Sequence, residues 1–313
     1  MANLGYIQVT RQCNQRCRFC SNPPVEAERT LDQARALVDD LVERGYDGVI
    51  LTGGEPTLAP FLPELVAYCK AVALPVRLIT NGTRLREPAL LDALIGAGLH
   101  HVHLSLQSSM ADVHDELTRN PGSYDALMKA LKLIGERESL ITADVNTVIT
   151  TANADHLDAL AALVIERFPF VRHFVFNGLD PETDRLRSNP ELIPRLSDLE
   201  LSLFRAANLI EGSGRTLRVE RIPLCYMPGF EHCSTETRKI VKAEERITHF
   251  LDRRGAVRQG PEAFVHRHEP ACERCTLKPI CAGLYERTSA YDPAELATQF
   301  IDPEPIRRRI RGR

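Results

Sequence analysis

No stretch of the 313-residue sequence approaches the roughly 18 apolar residues of a transmembrane helix. No apolar signal-peptide core follows Met1-Ala2-Asn3-Leu4, which enters a strand at once. Neither sign of charge is in excess: 39 Lys and Arg stand against 42 Asp and Glu, a net charge of −3. That balance gives no reason to expect a nucleic-acid partner or a membrane surface. Internal repeats beyond strand–helix units and low-complexity linkers are also missing. A cytoplasmic protein of one large domain or two is the expectation, with 43% hydrophobic and 26% charged residues. What is present in an unusual pattern is cysteine. The nine cysteines are odd in number and clustered, and in a reducing compartment such clusters mean metal more often than disulfides.

The first cluster is Cys13-Asn14-Gln15-Arg16-Cys17-Arg18-Phe19-Cys20, a C-x3-C-x2-C loop just after the first apolar strand, Leu4 to Thr10. Thiolates ligate iron–sulfur clusters, and three of them leave one iron of a four-iron cluster without a protein ligand. An open position is what a catalytic metal needs. The alternative is a zinc loop, but a structural zinc site takes four closed ligands, and no fourth Cys or His lies nearby.

From there the chain alternates. An apolar stripe at helical spacing (Leu31, Ala34, Leu37, Val38, Leu41, Val42) has Thr30 as its N-cap and Gly45 as its stop. Strands are expected at Gly48–Thr52, Pro75–Ile79, His101–Leu106, Thr142–Ile149 and Val171–Phe176. Helices are expected from about Phe61, over Glu87–Ala97, over Tyr124–Glu136 and over Ala154–Arg167. Six strand–helix units in a row predict an α/β fold with a parallel sheet, an open partial (β/α)6 TIM-like barrel two units short of eight. The unusual residues follow strand ends: the cysteine loop, Gly53-Gly54-Glu55-Pro56, Thr80-Asn81-Gly82, Gln107-Ser108-Ser109 and Asn177. In parallel barrels the loops at that end build the active site. On the fourth strand Val102, Leu104 and Leu106 alternate with His101, His103, Ser105 and Gln107, so the polar set faces the lumen. His103, Asp144 and His173 are candidates for acid–base work on strand parity alone; His101, farther from the open end, reads as structural.

These residues resemble a family. The Cys13-x3-Cys17-x2-Cys20 loop with Phe19 before its last cysteine resembles the cluster motif of radical S-adenosylmethionine (SAM) enzymes. Gly53-Gly54-Glu55-Pro56 resembles their SAM-amino motif. Thr80-Asn81-Gly82, Ser105-Leu106-Gln107 and Asn146-Thr147-Val148 match other SAM-contacting positions. The resemblance covers about residues 1 to 215. It implies that SAM chelates the open iron of a [4Fe-4S] cluster. The reduced cluster then passes it an electron, and a 5′-deoxyadenosyl radical abstracts hydrogen from substrate. Glycine lets backbone approach a bound amino acid closely. Glu55 is expected to pair with the amine of SAM, and Ser105, Gln107 and Asn146 to meet its ribose or adenine. Arg119 is a candidate for its carboxylate, with a solvated arginine as the alternative.

After about Gly214 the alternation stops, which divides the chain at residues 1–215 and 216–313. A strand is expected at Leu217–Leu224, then Cys225 and Cys233, then a hairpin over Ile247–Gln259 turning at Arg254-Gly255. Cys272-x2-Cys275-x5-Cys281 follows. Four cysteines can close a zinc site, yet Cys272-x2-Cys275-x5-Cys281-Ala-Gly resembles the SPASM/twitch extension of the same superfamily, which carries auxiliary iron–sulfur clusters. The full pattern continues with a cysteine where this chain has Tyr285. The expectation is one auxiliary [4Fe-4S] cluster on Cys272, Cys275, Cys281 and either Cys225 or Cys233, with Cys225 preferred because it ends a strand. Cys69 reads as a buried small hydrophobe, and the basic Arg307–Arg313 tail as a solvated or frayed terminus.

The resemblance implies modification of a ribosomally made peptide (a crosslink, thioether or epimerisation), or else radical chemistry on a nucleotide, sugar or aminocyclitol. A non-catalytic zinc or redox-sensing protein is the reading from another class. An electron donor such as flavodoxin or ferredoxin is implied. A peptide substrate further implies a separate recognition protein or a C-terminal groove, because the first strand begins by about Leu4.

Overall fold

The computed structural model describes residues 3–22, 25, 28–180, 183–244, 246–251, 257–261, 266–285 and 291–312. The expected alternation is there. β1 (Leu4–Thr10) leads to α1 (Leu31–Glu43), β2 (Gly48–Gly53), α2 (Leu62–Ala71), β3 (Val76–Thr80), α3 (Pro88–Ala97) and β4 (His101–Ser105). Two helices, α4 (Ala111–Thr118) and α5 (Ser123–Gly135), precede β5 (Thr142–Val148). Then come α6 (Leu157–Arg167), β6 (Val171–Asn177), the single turn α7 (Asp184–Arg187), α8 (Leu196–Gly212) and β7 (Thr216–Glu220). The remainder is α9 (Thr235–Lys242), β8 (Arg246–His249), β9 (Val257–Gln259), the pair β10 (His266–Arg267) and β11 (Leu284–Tyr285), and α10 (Pro303–Arg311).

The main sheet has the order β7-β6-β5-β4-β3-β2-β1-β8-β9. Strands β1 to β8 are parallel to their neighbours and only β9 is antiparallel. Six units therefore undercount the sheet. The strand expected at Leu217–Leu224 is β7, shorter and paired in parallel with β6 from His173↔Thr216 to Asn177↔Glu220. The sheet thus runs on past residue 215. β8 reaches the opposite edge and pairs with β1 at Tyr6↔Thr248 and Ile7↔His249. The expected hairpin is the β8–β9 pair, but its turn at Arg254-Gly255 lies outside the described residues.

Alternation within each strand sorts the two faces. Ile7, Val9, Val49, Leu51, Leu78, Val102, Leu104, Val145, Phe174 and Phe176 are buried under the helices. Tyr6, Ile50, Arg77, His101, His103, Asp144, His173, Val175 and Arg218 line a lumen cavity of about 1020 Å³ at the N-terminal ends of the strands. Thr30 caps α1 in a capping box with Gln33, which satisfies two otherwise orphaned backbone donors. Cys69 is fully buried in α2. The basic tail is not frayed. Asp302 caps α10, Ile306 and Ile310 are buried, and Arg309 donates to both oxygens of Glu211. No helix among the described residues is long and apolar enough to cross a membrane.

Candidate active site at the C-terminal ends of the strands

The cysteine loop leaves β1 and is pinned from two sides. Arg16 N and Arg18 N donate to the carbonyls of Thr118 and Leu117 at the end of α4, at 3.0 and 2.9 Å. Phe19 packs with Leu117, Leu179, Leu186 and Leu192. Arg185 Nη1 donates to Cys17 O at 2.7 Å. The other side is the glycine turn after β2. Gly54 N donates to Thr10 O and Glu55 N to Gln12 O, both at 2.7 Å. A Cβ on Gly53 would stand 2.0 Å from Thr10 O, and one on Gly54 2.1 Å from Gln12 O. Gly53 also has φ +143°, a region that L side chains rarely adopt. These glycines are required by the cysteine loop itself, whose backbone lies against them.

The Glu55 carboxylate is engaged by the turns around it. It is fully buried. Oε1 accepts from Thr57 N (3.0 Å), Thr57 Oγ1 (2.5 Å) and Thr80 Oγ1 (2.7 Å), and Oε2 accepts from Asn81 N (2.8 Å). Burial pushes its pKa up while the four donors pull it down. Its work is to tie the turns after β2 and β3 together; Pro56 begins the 3-10 turn that it caps. Asn81 continues the chain of bonds: Nδ2 donates to Asn14 Oδ1 at 2.8 Å and lies 4.0 Å from Cys13 Sγ. Two more positions stand on neighbouring strand ends. Gln107 Oε1 accepts from Val148 N at 2.9 Å, and Asn146 Oδ1 accepts from Asn177 Nδ2 at 2.5 Å. Ser105 ends β4, half-buried on the lumen side. Arg119 departs from this group. It sits exposed at the end of α4 in a left-handed conformation, facing Asn189 at 3.5 Å and lining a surface groove with Arg18 and Glu116.

All nine cysteines are free thiols. Burial raises the pKa of Cys13 and Cys17, and each is raised further by a neighbouring cysteine of the loop. Such thiols deprotonate when a cation binds. Backbone N–H groups already point at the sulfurs: Gln15 N at Cys13 and Asn22 N at Cys20, both at 3.4 Å. The donor set therefore fits a thiolate-ligated cluster at Cys13, Cys17 and Cys20.

The second set forms where the 3-10 turn Leu224–Tyr226 meets the loop 272–281. Burial raises Cys225 to about 11, with Cys281 and Cys272 adding to it, and Cys281 is raised likewise with Cys272 and Cys275 as neighbours. Gly283 N donates to Cys281 Sγ at 3.3 Å. Cys225 thus groups with Cys272, Cys275 and Cys281, although it follows the end of β7 by five residues rather than ending the strand. Cys233 sits elsewhere, 3.6 Å from Glu211 Oε1 and 3.4 Å from His232 Nε2. Spacing separates zinc from a cluster. A tetrahedral zinc with Zn–S near 2.3 Å draws its thiolates to about 3.8 Å. Among the described residues, the only sets of three candidate ligand atoms within 4.8 Å of one another are His101/His103/Asp144 and Glu211/His232/Cys233. Neither cysteine set is among them.

His103, Asp144 and His173 lie lower in the lumen. Asp144 stands two residues before Asn146 on β5, about 7 Å along the strand, and bonds His101 and His103. Burial pushes His103 down to about 3 and His173 to about 4.

The sequence of the chain matches the model of the Radical SAM superfamily over residues 7–164. It is 34% identical over 164 residues to a PqqA peptide cyclase of Xanthomonas euvesicatoria pv. vesicatoria, covering 51% of this chain and 43% of that protein. It is 28% identical over 186 residues to an AdoMet-dependent heme synthase of Methanosarcina barkeri, covering 57% and 52%. The chain spans about half the length of these relatives. The fold is similar to Streptococcus suis SuiB bound to its precursor peptide SuiA, with TM-score 0.67 and 15% identity over 95% of this chain and 76% of that one. It is also similar to anSMEcpe with bound AdoMet and a peptide, with TM-score 0.56 and 18% identity over 69% and 63%. With half of the chain, from β1 into α6, matched by that model and the cysteine loop and glycine turn inside the match, the chain belongs to the radical SAM superfamily.

Proposed function

We propose that this chain is an enzyme that cleaves SAM reductively, abstracts hydrogen from a ribosomally made peptide, and leaves a crosslink, thioether or epimerised residue. A [4Fe-4S] cluster held by Cys13, Cys17 and Cys20 supplies the electron and the iron position at which SAM binds. The chain's own part is positioning. Gly53 and Gly54 bring bare backbone up to the cysteine loop. Glu55, Thr80 and Asn81 lock the two turns behind it. Ser105, Gln107 and Asn146 offer neutral hydrogen-bonding groups at the rim, and Phe19 shields the loop from water. Arg119 is left as a solvated arginine. Cys225, Cys272, Cys275 and Cys281 hold one auxiliary [4Fe-4S] cluster, in a region 216–313 whose β7 and β8 also complete the barrel of residues 1–215. An electron donor such as flavodoxin or ferredoxin and a separate peptide-recognition protein, in a reducing cytoplasm, complete the proposal.

The observation that carries the peptide reading is the kinship with a PqqA peptide cyclase together with a second cysteine quartet whose thiols act on one another. The likeness to an AdoMet-dependent heme synthase favours a second reading, a small-molecule substrate. The experiment is 5′-deoxyadenosine release by anaerobically reconstituted, reduced enzyme with SAM and host extract. Stimulation that protease treatment of the extract abolishes supports the peptide. Stimulation that survives protease sinks the peptide reading and supports the small molecule. A chain that carries its iron and cleaves no SAM refutes both.

A further inference from the structure

The lumen cavity at the N-terminal ends of the strands holds a group of side chains that the cluster chemistry does not use. β4 and β5 pair with His103 opposite Asp144 and His101 opposite Thr142, and His101, His103 and Asp144 all line the cavity. His101 Nε2 lies 2.8 Å and His103 Nδ1 3.2 Å from the same oxygen, Asp144 Oδ2. The three atoms stand within 4.8 Å of one another.

Thr142 Oγ1 donates to His100 O at 3.1 Å and lies 2.6 Å from His101 Nδ1. Thr142 Oγ1 can accept from His101 Nδ1 while it donates to His100 O, an arrangement open to one of the two ring tautomers. In that tautomer Nε2 presents a lone pair toward the carboxylate oxygen 2.8 Å away. His103 turns Nδ1 to the same oxygen, and its Nε2 is buried without a hydrogen-bond partner. Hydrogen bonds from the two rings account for these distances, and a cation bound by the same three atoms accounts for them equally, with each ring presenting a lone pair to it. The spacing suits it. Ligands about 2.0–2.2 Å from an ion, in tetrahedral or octahedral arrangement, stand roughly 2.8–3.6 Å apart.

We propose that His101 Nε2, His103 Nδ1 and Asp144 Oδ2 bind a divalent first-row metal ion on the wall of the lumen, at the end of the barrel opposite the cysteine loop. Two imidazoles and one carboxylate on a single face leave the remaining coordination positions open. Those positions face a cavity of about 1020 Å³ that also exposes Arg77, which suits water or an anionic group of a ligand as the outer partner. In the metal-bound form the bond from His101 Nδ1 to Thr142 holds the tautomer that leaves Nε2 free to ligate. His173, opposite Asp144 across the β5–β6 pair, has its Nδ1 engaged by Thr216 Oγ1 at 2.7 Å. The other compact set, Glu211/His232/Cys233, does not compete for this assignment, because the Arg309 guanidinium already bonds both Glu211 oxygens at 3.1 and 3.0 Å.

The test uses the cluster-loaded enzyme and zinc as the probe. The protein is equilibrated with micromolar Zn²⁺, freed of excess by gel filtration, and examined for metal content and by zinc X-ray absorption. The expected result is one zinc per chain with nitrogen and oxygen neighbours at about 2.0–2.1 Å and no sulfur at 2.3 Å. Asp144→Asn, and His101→Ala combined with His103→Ala, are expected to lower zinc affinity at least tenfold with cluster iron retained. A sulfur-containing shell, no retained zinc, or full zinc retention in the double variant overturns the proposal; a plain imidazolium–carboxylate pair gives the second of these. The absorption measurement on the unaltered enzyme stands even if a variant fails to fold.

Discussion

Gly54→Ala tests whether the glycine turn and the cysteine loop form one unit. The new Cβ would lie 2.1 Å from Gln12 O and 2.7 Å from Arg11 C and O, all backbone. Relief to a tolerable separation requires the turn to move about 1 Å away from the loop, as overpacking does at about 1–3 kcal/mol. The same movement stretches the bonds from Gly54 N to Thr10 O and from Glu55 N to Gln12 O, both 2.7 Å. They are worth about 0.5–1.5 kcal/mol each. Together the loss is about 2–6 kcal/mol, and at roughly 2 °C per kcal/mol in a chain of this size Tm falls by about 4–12 °C. Gly96→Ala is the control. Its Cβ meets nothing within 4 Å, and a helix-interior alanine gains up to about 1 kcal/mol over glycine. The assay pairs calorimetry with electron paramagnetic resonance of the reduced cluster, with and without SAM. The Gly54 variant is expected to melt early and to lose the SAM-induced spectral change. A variant with unchanged Tm and an unchanged response to SAM would refute the close-approach argument.

Cys225→Ala is expected to lower iron by about four per chain, the content of one four-iron cluster, while Cys233→Ala leaves it unchanged; iron and sulfide analysis decides. Arg185→Met removes a positive charge that acts on Cys13 and Cys17. It should shift the potential of the loop's cluster to more negative values in a redox titration. His114 is fully buried, its pKa pushed down to about 4, and its Nδ1 accepts from Gln107 N at 3.2 Å. A histidine lowered in the fold contributes stability above the unfolded pKa near 6.5 and loses it as pH falls toward 4. The stability difference between pH 7 and pH 4.5 should shrink by about 2–3 kcal/mol in His114→Gln, read by denaturant melts at the two pH values.

The alternation of strands and helices was legible because each crossover carries its own period, and β4 announced its two faces through His101, Val102, His103 and Leu104. The cysteine loop and glycine turn were legible as motifs. Other features depend on partners far away in sequence. β8 is four residues long, and its place beside β1 is set by contacts about 240 residues apart. α4 is eight residues, five of them polar or charged, too short to show a stripe. The arginine-rich tail hides two isoleucines one turn apart, and only their burial makes it a packed helix. The anchoring of Glu55 was hidden for a related reason. Its bonds come from two different turns, so a free and a spent carboxylate look alike in the sequence. The choice between Cys225 and Cys233 also rests on proximity in space, since both follow β7 within 13 residues.

The position of β8 has a consequence for how the chain is made. β1 gains β2 as a neighbour once residue 53 has emerged, but its other edge is covered only by residues 246–249. At about 5–20 residues per second, the intervening 200 or so residues take roughly 10–40 s of synthesis. Throughout that interval the strand that launches the cysteine loop is an open edge, the kind of surface that pairs with other chains. Nascent chains halted before residue 246 should therefore aggregate through β1.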